Sequence, residues 1–371
     1  MAGLYLHIPF CARRCGYCDF FSTTEPQRLD EYLEGMGREM AARKGELRGE
    51  PLHTLYIGGG TPSLMSLAQL ERLFEMLEEH FDLTQLEEAT LEANPGDLTR
   101  EYLRGLSALP LNRLSIGVQS FVDDDLLRMG RRHTACEARE AVRRAQAVGF
   151  CRLSIDLIYG LPGQTLAEWE SSLAAACALE VEHVSAYHLT YEEGTPFAQR
   201  LERGEYDEAS EAQSLAFYHT LLERLAAHGI EQYEISNFAR RGGHSRHNSS
   251  YWDGTPYLGV GCSAHSYDGQ RRRRANVASL GRYLRDEWLG EAELLTDNDL
   301  YNEYLMTSLR TVRGVDLAAM RRRFGAHSCD ALLALLASYA TQGLAQITPT
   351  HAALTPEGLF VSDRVICAAL R

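Results

Sequence analysis

The sequence of 371 residues lacks any apolar run close to the roughly 18 residues that span a bilayer. Its start, interrupted by Pro9 and Cys11, has neither the basic residues nor the small-residue cleavage site of a signal peptide. Basic residues are few, because 37 Lys and Arg stand against 51 Asp and Glu, for a net charge of −14. Since phosphate binding needs a basic face, we expect no nucleic-acid partner. These absences predict a cytoplasmic protein with no transmembrane segment.

The sequence also lacks the cysteine pattern of a disulfide framework, because its nine cysteines are odd in number and mostly scattered. Scattered cysteines are expected to be small packed side chains in a reducing compartment. This expectation applies to Cys136, Cys151, Cys177, Cys329 and Cys367. Cys262 lies in a segment rich in Gly, Ser, His and Tyr, and the remaining three cysteines are close together.

Cys11, Cys15 and Cys18 have the spacing Cys-x3-Cys-x2-Cys and follow a short apolar run. Thiolates are soft ligands that suit iron–sulfur clusters or zinc. No fourth cysteine lies close by, since an aspartate and Phe20 come next. Three thiolates on one loop therefore favour a [4Fe–4S] cluster with one iron that has no protein ligand. The alternative is a structural zinc site that recruits a fourth ligand such as His7.

Strand-like segments alternate with amphipathic helical patterns through the first two-thirds of the chain. This alternation predicts an α/β fold, with a parallel sheet that right-handed crossovers curl into a barrel or partial barrel. The six strand-like segments are Leu4–Ile8, Thr54–Ile57, Ala89–Ala93, Arg113–Gly117, Arg152–Leu157 and His183–His188.

A second, smaller domain is predicted at the C-terminal end. Ile230–Phe238 has the pattern of a further strand, and Arg240–Gly269 that of a long ordered loop or a bridge between domains. From about Asp297 three helical segments, a short hairpin and a final helix near Leu359–Leu370 suggest a winged-helix-like module. We therefore predict a barrel over 1–238, a bridging segment over 239–296 and a C-terminal winged-helix-like domain over 297–371.

Several candidate site residues fall at or just beyond the ends of the predicted strands, where barrels of this kind carry their functional loops. Glycines in Gly58–Pro62 let the backbone approach a ligand closely, although a plain turn explains them equally well. Glu92 and Asp156 can accept hydrogen bonds from ribose hydroxyls, and Arg131 can pair with a carboxylate. Together these groups suit an aminoacyl nucleoside, whereas each alone is as easily structural.

The cysteine motif, with Tyr17 directly before its last cysteine, resembles the signature of the radical S-adenosylmethionine superfamily. The resemblance implies a partial (β/α)6 barrel and a [4Fe–4S] cluster whose unique iron is chelated by S-adenosylmethionine. In that superfamily the reduced cluster cleaves the sulfonium to a 5′-deoxyadenosyl radical. The resemblance also implies that the backbone of Gly59, Gly60 and Thr61 holds the methionyl amino group.

The order of these motifs resembles the branch that contains oxygen-independent coproporphyrinogen III dehydrogenase and the HemW heme chaperone family. For this branch the resemblance implies that the residues lining the cofactor site are Tyr5, Tyr17, Gly59, Gly60, Thr61, Glu92, Gln119, Arg131 and Asp156. Phe20 stands where the dehydrogenase has a further cysteine, and the cluster loop begins too early to leave room for its N-terminal extension. His247–Trp252 matches the His-Asn-x-x-Tyr-Trp element characteristic of HemW.

The resemblance, which covers nearly the whole chain, implies a protein that binds heme and delivers it to acceptor apoproteins such as respiratory enzymes. Heme contacts are then expected from His247, as a ligand of iron, and from Tyr251 and Trp252, which can stack on a macrocycle. His247 could instead fasten its loop to the barrel. The alternatives in function are oxidative decarboxylation of coproporphyrinogen III propionates, or another radical reaction in which heme has no part. Assembly of two copies of the chain into a homodimer is a further possibility that the sequence leaves open.

Three other potential ligands, His244, Cys262 and His265, lie near this element, and a structural role is favoured for each. Arg271–Arg274 is a run of four arginines in an acidic protein. It is expected to be a solvated hairpin rather than a contact for propionates or for a partner.

Overall fold

The structure, a computed structural model, describes residues 2–371. Six strands pair in parallel, each with the next along the chain. These strands are β1 (Ala2–Ile8), β2 (Leu52–Gly59), β3 (Glu88–Ala93), β4 (Arg113–Gln119), β5 (Arg152–Tyr159) and β6 (His183–His188). The predicted α/β fold is confirmed, and each of the six predicted strands is present.

Helices follow the strands and pack against them in one continuous hydrophobic core. They are α1 (Leu29–Arg43), α2 (Leu67–His80), α3 (Arg100–Leu106), α4 (Asp123–Met129), α5 (Ala135–Val148) and α6 (Leu166–Ala178). The hydroxyls of Ser66, Thr134 and Thr165 begin α2, α5 and α6 with capping boxes, each accepting the backbone N–H three residues on. These caps explain why the helices begin where the sequence pattern places them.

The sheet continues beyond β6 on one side and beyond β1 on the other. The next elements are α7 (Pro196–Glu202), α8 (Glu211–Ala226), β7 (Glu231–Gln232), β8 (Asn237–Ala239), α9 (Arg246–Asp253), β9 (Tyr257–Val260), β10 (His265–Tyr267), β11 (Arg272–Asn276), α10 (Leu280–Tyr283) and β12 (Leu289–Leu294). β8 pairs antiparallel with β6, and β9 pairs parallel with β1. The result is one twelve-stranded sheet in the order β12-β11-β10-β9-β1-β2-β3-β4-β5-β6-β8-β7.

Two expectations for this region are wrong. Ile230–Phe238 is not one strand, because it turns back on itself as the antiparallel pair β7 and β8. Arg240–Gly269 is neither a long loop nor a bridge, since it contains α9 and supplies two strands to the main sheet. The strands concerned are two to four residues long, which is too short for a periodic pattern to show. The arginine run lies largely on β11, in antiparallel hairpins with β10 and β12.

The C-terminal domain has its own hydrophobic core. It consists of α11 (Asp297–Leu309), β13 (Val315–Asp316), α12 (Leu317–Ala340), β14 (Ala345–Ile347), β15 (His351–Leu354), α13 (Pro356–Phe360) and α14 (Ser362–Ala369). Its three strands form a small sheet in the order β13-β15-β14. Gly325, with φ of 85°, interrupts α12 and separates the two predicted helices that it joins. The single predicted helix at the end is two short helices.

A buried ion pair ties the segment before α9 to the sheet. The Arg113 guanidinium donates to Glu88 at 2.9 Å and to the carbonyls of Gly243 and His244 at 3.0 and 3.1 Å. The second oxygen of Glu88 accepts the backbone N–H of His247 at 2.9 Å. This charge pair at the centre of the sheet therefore fixes the start of α9.

A second buried ion pair holds the extra strands β9 to β11 against α1. Arg43 donates to Glu39 at 2.6 Å, to the carbonyl of Gly259 at 2.8 Å and to Asn276 at 3.1 Å. Its other nitrogen donates to Ser266 at 2.9 Å. One guanidinium therefore contacts three neighbouring strands, which explains how such short strands keep their register.

Cysteine burial only partly follows the expectation. Cys177 and Cys329 are buried, as is Cys262, but Cys136, Cys151 and Cys367 are exposed. The expectation of packed side chains is wrong for these three, since they lie on the solvent side of α5 and α14 and in the loop before β5. Within residues 2–371, no helix has the length and apolar character needed to cross a membrane.

Candidate functional site

The C-terminal ends of β1 to β6 surround a cavity of about 490 Å³, here called the cluster cavity. The structure brings together in its wall nearly all the site residues that the sequence singled out. These are Cys11, Cys15, Tyr17, Cys18, Gly59, Gly60, Thr61, Glu92, Gln119, Arg131 and Asp156. Most come from the ends of β1 to β5 or from the loops directly after them, and Arg131 follows α4. A parallel sheet curled around one mouth requires such an arrangement.

The cysteine loop is clamped at both ends. At its base, Cys11 donates its N–H to the carbonyl of Thr23 at 2.8 Å, and Thr23 donates back to Pro9 at 2.7 Å. At its tip, Gly16 donates to the carbonyl of Met129 at 3.0 Å and accepts from the N–H of Phe197 at 2.9 Å. The loop is therefore held across the mouth before any ligand binds.

The cysteine sulfurs receive polar contacts from the cavity wall. Thr61 donates its hydroxyl to the sulfur of Cys11 at 3.5 Å, and Arg131 donates to the sulfur of Cys15 at 3.5 Å. Burial raises the pKa of Cys11, and it raises the pKa of Cys18 to about 11. These two thiols are protonated at neutral pH, so binding of a metal centre to their thiolates must release the protons.

Within the part of the chain that the structure describes, no three His, Cys, Asp or Glu side chains gather around a single ion position. His7, the fourth ligand considered for zinc, accepts or donates at both ring nitrogens, with Tyr5 at 3.0 Å and the carbonyl of Phe21 at 2.9 Å. In a [4Fe–4S] cluster each thiolate binds a different iron, so the sulfurs need not converge on one point. Three cysteines spread around a cavity fit that group.

The glycine turn packs against the backbone of the cysteine loop. Gly60 and Thr61 donate their N–H groups to the carbonyls of Ile8 and Phe10, each at 2.8 Å. A Cβ at Gly60 would lie only 2.8 Å from the carbonyl oxygen of Phe10. The N–H of Gly59 is taken as well, by Glu92 at 3.0 Å. Since these donors are committed, the turn offers a ligand its carbonyl oxygens, which suit an ammonium group.

Replacing Gly60 with alanine is expected to push the cysteine loop away, because the contact is with backbone that cannot rotate aside. The free energy of unfolding should fall by about 1–3 kcal/mol, and the iron bound per chain after reconstitution should fall with it. Denaturant titration and iron analysis measure the two effects. Gly45→Ala is the matched control, since nothing lies within 4 Å of its added Cβ. Equal iron content in both variants would show that the contact between Gly60 and the cysteine loop is not needed for the cluster to bind.

Glu92 and Asp156 are two carboxylates at the bottom of the cluster cavity. Glu92 accepts from the hydroxyl of Tyr56 at 2.8 Å, and Asp156 accepts from Ser115 at 3.3 Å. Burial raises the pKa of Glu92 to about 7, with the charge of Asp156 contributing. Burial likewise raises the pKa of Asp156 to about 6. Both groups can accept from hydroxyls of a ligand, and a cationic ligand would favour their charged forms.

Glu92→Gln is expected to change how stability depends on pH. Because the pKa of about 7 in the folded protein lies above the usual value of 4.5, ionised Glu92 destabilises the fold. That penalty is absent below about pH 4.5 and grows as the pH rises towards 7. The free energy of unfolding of Glu92→Gln minus that of the parent should therefore rise by about 2.5 kcal/mol between pH 5 and pH 8. Urea titrations measure it, and the exposed Glu71→Gln should show no such rise.

Arg131 is one of the arginines that line the cluster cavity. It donates to the carbonyl of Gly117 at 2.6 Å. Its Nε is buried without an acceptor among residues 2–371. Beside it, Gln119 has φ of 69° at the end of β4, a left-handed conformation that costs energy for a residue with a side chain. A ligand carboxylate is the partner this wall lacks, so the residues fit the aminoacyl end of S-adenosylmethionine.

Tyr5 lies outside the wall of the cluster cavity, so its contact with the cofactors stays a prediction. It lies in the middle of β1, below the mouth, and its hydroxyl is hydrogen-bonded to His7 at 3.0 Å. Its ring stacks on those of Tyr56 and His247, at 6.1 and 6.5 Å between centroids. Tyr5 therefore supports the residues beneath the cavity.

Other residues of the wall were not singled out from the sequence. They include Asn94, Ser115, Tyr187, His188 and Thr190. Two of them end β6, so the rule that strand ends carry the site would have found them. Ser115 lies inside β4, and only its approach to Asp156 reveals it.

A second and larger cavity, here called the cleft, lies between the β9–β10 side of the sheet and the C-terminal domain. Its volume is about 1050 Å³, and aromatic side chains from both sides line it. Two of the predicted heme contacts, Tyr251 and Trp252, are among them. Phe20, which is 65% exposed, lines both the cleft and the cluster cavity.

His247 is fully buried behind the cleft. Its Nδ1 is hydrogen-bonded to the hydroxyl of Thr54 and its Nε2 to that of Tyr251, each at 2.9 Å. Burial lowers its pKa to about 3, so the ring is neutral. Binding heme iron would require one of these hydrogen bonds to break. Of the two roles considered from the sequence, this geometry supports the one that fastens α9 to the sheet.

The sequence is similar to known protein families and to individual known proteins. Residues 5–176 match the family model described as Radical SAM superfamily, and residues 295–361 match the HemN C-terminal domain. The chain is 36% identical over 382 residues to the heme chaperone HemW of Bacillus subtilis (strain 168), covering 100% of this chain and 99% of that protein. It is 37% identical over 377 residues to the heme chaperone HemW of Mycobacterium tuberculosis (strain ATCC 25618 / H37Rv), covering 98% and 93%.

A solved structure is also similar. Coproporphyrinogen III oxidase (HemN) from Escherichia coli, a radical SAM enzyme, superposes with a TM-score of 0.85 at 26% identity, covering 99% of this chain and 89% of that chain. Radical SAM proteins hold a [4Fe–4S] cluster and S-adenosylmethionine, which the cluster cavity fits. The chain therefore belongs to the radical SAM superfamily and, within it, to the family of the HemW heme chaperones.

Proposed function

We propose that this protein is a cytoplasmic heme chaperone, which binds heme and transfers it to acceptor apoproteins such as respiratory enzymes. The observation that carries the proposal is similarity along nearly the whole chain to proteins named heme chaperone HemW. Phe20, in place of the further cysteine that the dehydrogenase carries, also supports it. Besides the heme, the protein would hold a [4Fe–4S] cluster on Cys11, Cys15 and Cys18, with S-adenosylmethionine at the open iron.

The residues of the cluster cavity would each bind one part of these cofactors. Arg131 would pair with the carboxylate of S-adenosylmethionine, and the carbonyl oxygens of the glycine turn would accept from its ammonium group. Glu92 and Asp156 would accept from the ribose hydroxyls. A reduced cluster supplies an electron to the sulfonium when both cofactors are bound. The cofactors would support or gate the delivery of heme.

Anaerobic titration of the reconstituted protein with heme tests the proposal. We expect saturable uptake with a Soret band, followed by loss of that band when an apo-hemoprotein such as apomyoglobin is added. Serum albumin serves as a control for non-specific capture. If the chain binds no heme under these conditions, the chaperone proposal fails.

The second candidate is oxidative decarboxylation of coproporphyrinogen III by radical chemistry. The structural similarity to coproporphyrinogen III oxidase over 99% of this chain favours it. Incubation with coproporphyrinogen III, S-adenosylmethionine and a reductant distinguishes the two. We expect no protoporphyrinogen, and its formation would replace the chaperone proposal with the enzyme.

A further inference from the structure

We propose that heme binds in the cleft, with His265 as the ligand of its iron and Arg313 and Arg323 as the contacts of its propionates. This inference rests on the proposed function and gives the cargo a site that is distinct from the cluster cavity.

The cleft has the size and wall of a site for a flat aromatic ligand. Its volume of about 1050 Å³ reaches the upper end of the roughly 300–1,000 Å³ of small-molecule sites. Along the sheet side, the Tyr251 and Tyr257 rings meet edge to face at 4.8 Å, and Tyr267 lies 6.5 Å from Tyr257. Tyr304 of α11 lines the opposite side. Aromatic rings on two walls suit a macrocycle inserted between them.

His265 faces this cleft because of the register of its strand. β10 pairs with β11 so that His265 lies opposite Ala275 and Tyr267 opposite Arg273. Ser266, between the two, points the other way and binds Arg43 at 2.9 Å. Side chains alternate along a strand, so His265 and Tyr267 share the face that lines the cleft.

The imidazole of His265 is available to a metal, unlike that of His247. It is exposed, and neither ring nitrogen has a hydrogen-bond partner in the described part of the chain. Partial burial and then the charge of Arg273 lower its pKa, so the ring is unprotonated at neutral pH. Of the other two histidines of the cleft, His7 is bonded at both nitrogens. His244 is exposed like His265, but its ring is stacked on that of Tyr233 with centroids 4.2 Å apart.

Positive charge without a partner also lies in the cleft, although the protein is acidic overall. Arg313 and Arg323 line the cleft, and no carboxylate of residues 2–371 lies within 4.0 Å of either guanidinium. Arg323 lies 5.0 Å from the ring centroid of Tyr304, which places its charge beside an aromatic wall. Heme carries two propionates, and guanidinium groups bind carboxylates well.

The carboxylates of the cleft are already engaged. Asp253 accepts from the hydroxyl of Thr255 at 2.6 Å, and Asp316 accepts from the N–H of Ala319 at 2.9 Å. Glu303 pairs with Arg273 at 2.8 Å. Three carboxylates and three arginines line the cleft, and Arg313 and Arg323 are the two of these arginines that have no ion pair within residues 2–371, which suits the two propionates of heme.

Heme titration of single variants of the full, reconstituted chain tests the ligand. His265→Ala should bind heme at least about 10-fold more weakly and lose the spectrum of histidine-ligated iron. His327→Ala, an exposed histidine of α12 outside the cleft, should match the parent. Iron content and S-adenosylmethionine binding should be unchanged in both, which shows that the fold is intact.

The outcomes separate the two proposals. If the parent takes up no heme, the proposed function fails. If the parent binds heme and His265→Ala matches it in affinity and spectrum, the chaperone stands and the site proposed here is wrong. Loss of the histidine spectrum in His244→Ala or His247→Ala, but not in His265→Ala, would likewise overturn it.

A second measurement tests the propionate contacts with heme dimethyl ester, which lacks both negative charges. The double variant Arg313→Gln/Arg323→Gln should bind heme about 10-fold more weakly but bind the ester as the parent does. Arg322→Gln, an exposed neighbour outside the cleft, is the control. Equal heme affinity in the double variant and the parent would overturn this part of the proposal.

Discussion

Replacing Arg113 with methionine is expected to lower the free energy of unfolding by about 3–5 kcal/mol. The guanidinium and its partner Glu88 are 1% and 0% exposed, so the change leaves a carboxylate buried with no opposite charge. The carbonyls of Gly243 and His244 lose their donor at the same time. Urea titration monitored by circular dichroism measures the loss.

The double variant Glu88→Gln/Arg113→Met separates the charge from the packing. It removes the unpaired carboxylate while the glutamine still accepts from the N–H of His247. We expect it to recover more than half of the loss, because the cost lies in the isolated charge rather than in the pair. A double variant as unstable as the single one would show that the guanidinium's contacts with the carbonyls dominate instead.

The second large effect is expected from Cys15→Ser, which should reduce the iron bound per chain after reconstitution nearly to zero. A cluster held by three thiolates on one loop has no other protein ligand to replace the missing one. Iron analysis and visible absorption measure the loss. Cys151→Ser is the matched control, since that cysteine is exposed and distant from the cluster loop in sequence. Full iron content in Cys15→Ser would remove the cysteine loop as the cluster site.

The same variant tests how the two cavities are related. If heme binds in the cleft, Cys15→Ser should still take up heme, but its transfer to an acceptor should be impaired. Complete loss of heme uptake would instead place the heme against the cluster itself. Stopped-flow transfer to apomyoglobin, with the parent and Cys151→Ser side by side, measures the difference.

The parallel strands β1 to β6 could be predicted from the sequence because strand-like segments alternate with helical patterns, of which α2, α5 and α6 begin with capping boxes. The strands β7 to β12 could not, since several have two to four residues and no periodic pattern. What keeps β9, β10 and β11 together is a guanidinium, Arg43, that comes from α1 more than two hundred residues earlier. Contacts over such a distance along the chain leave no local pattern to read.

The cluster cavity was largely predictable, because the cysteine spacing and the strand ends both point to one mouth. Tyr5 is on the first strand but lies below the mouth, and a position on a strand does not by itself give the depth of a side chain in the cavity. The cleft could not be predicted at all. Its wall combines Phe20, Tyr251 and Tyr304, which are far apart in sequence and meet only once the C-terminal domain has folded against the sheet.

Phe20 gives the two cavities one wall in common. If the position of this side chain differs between the loop with and without its cofactors, the affinity of the cleft for its ligand differs as well. Thermodynamic linkage then requires the converse by the same factor, so a ligand in the cleft would tighten or loosen the hold on the cofactors equally. Binding of the ligand in the cleft and binding of the cofactors would each change the affinity for the other, through the side chain of Phe20, which is 65% exposed.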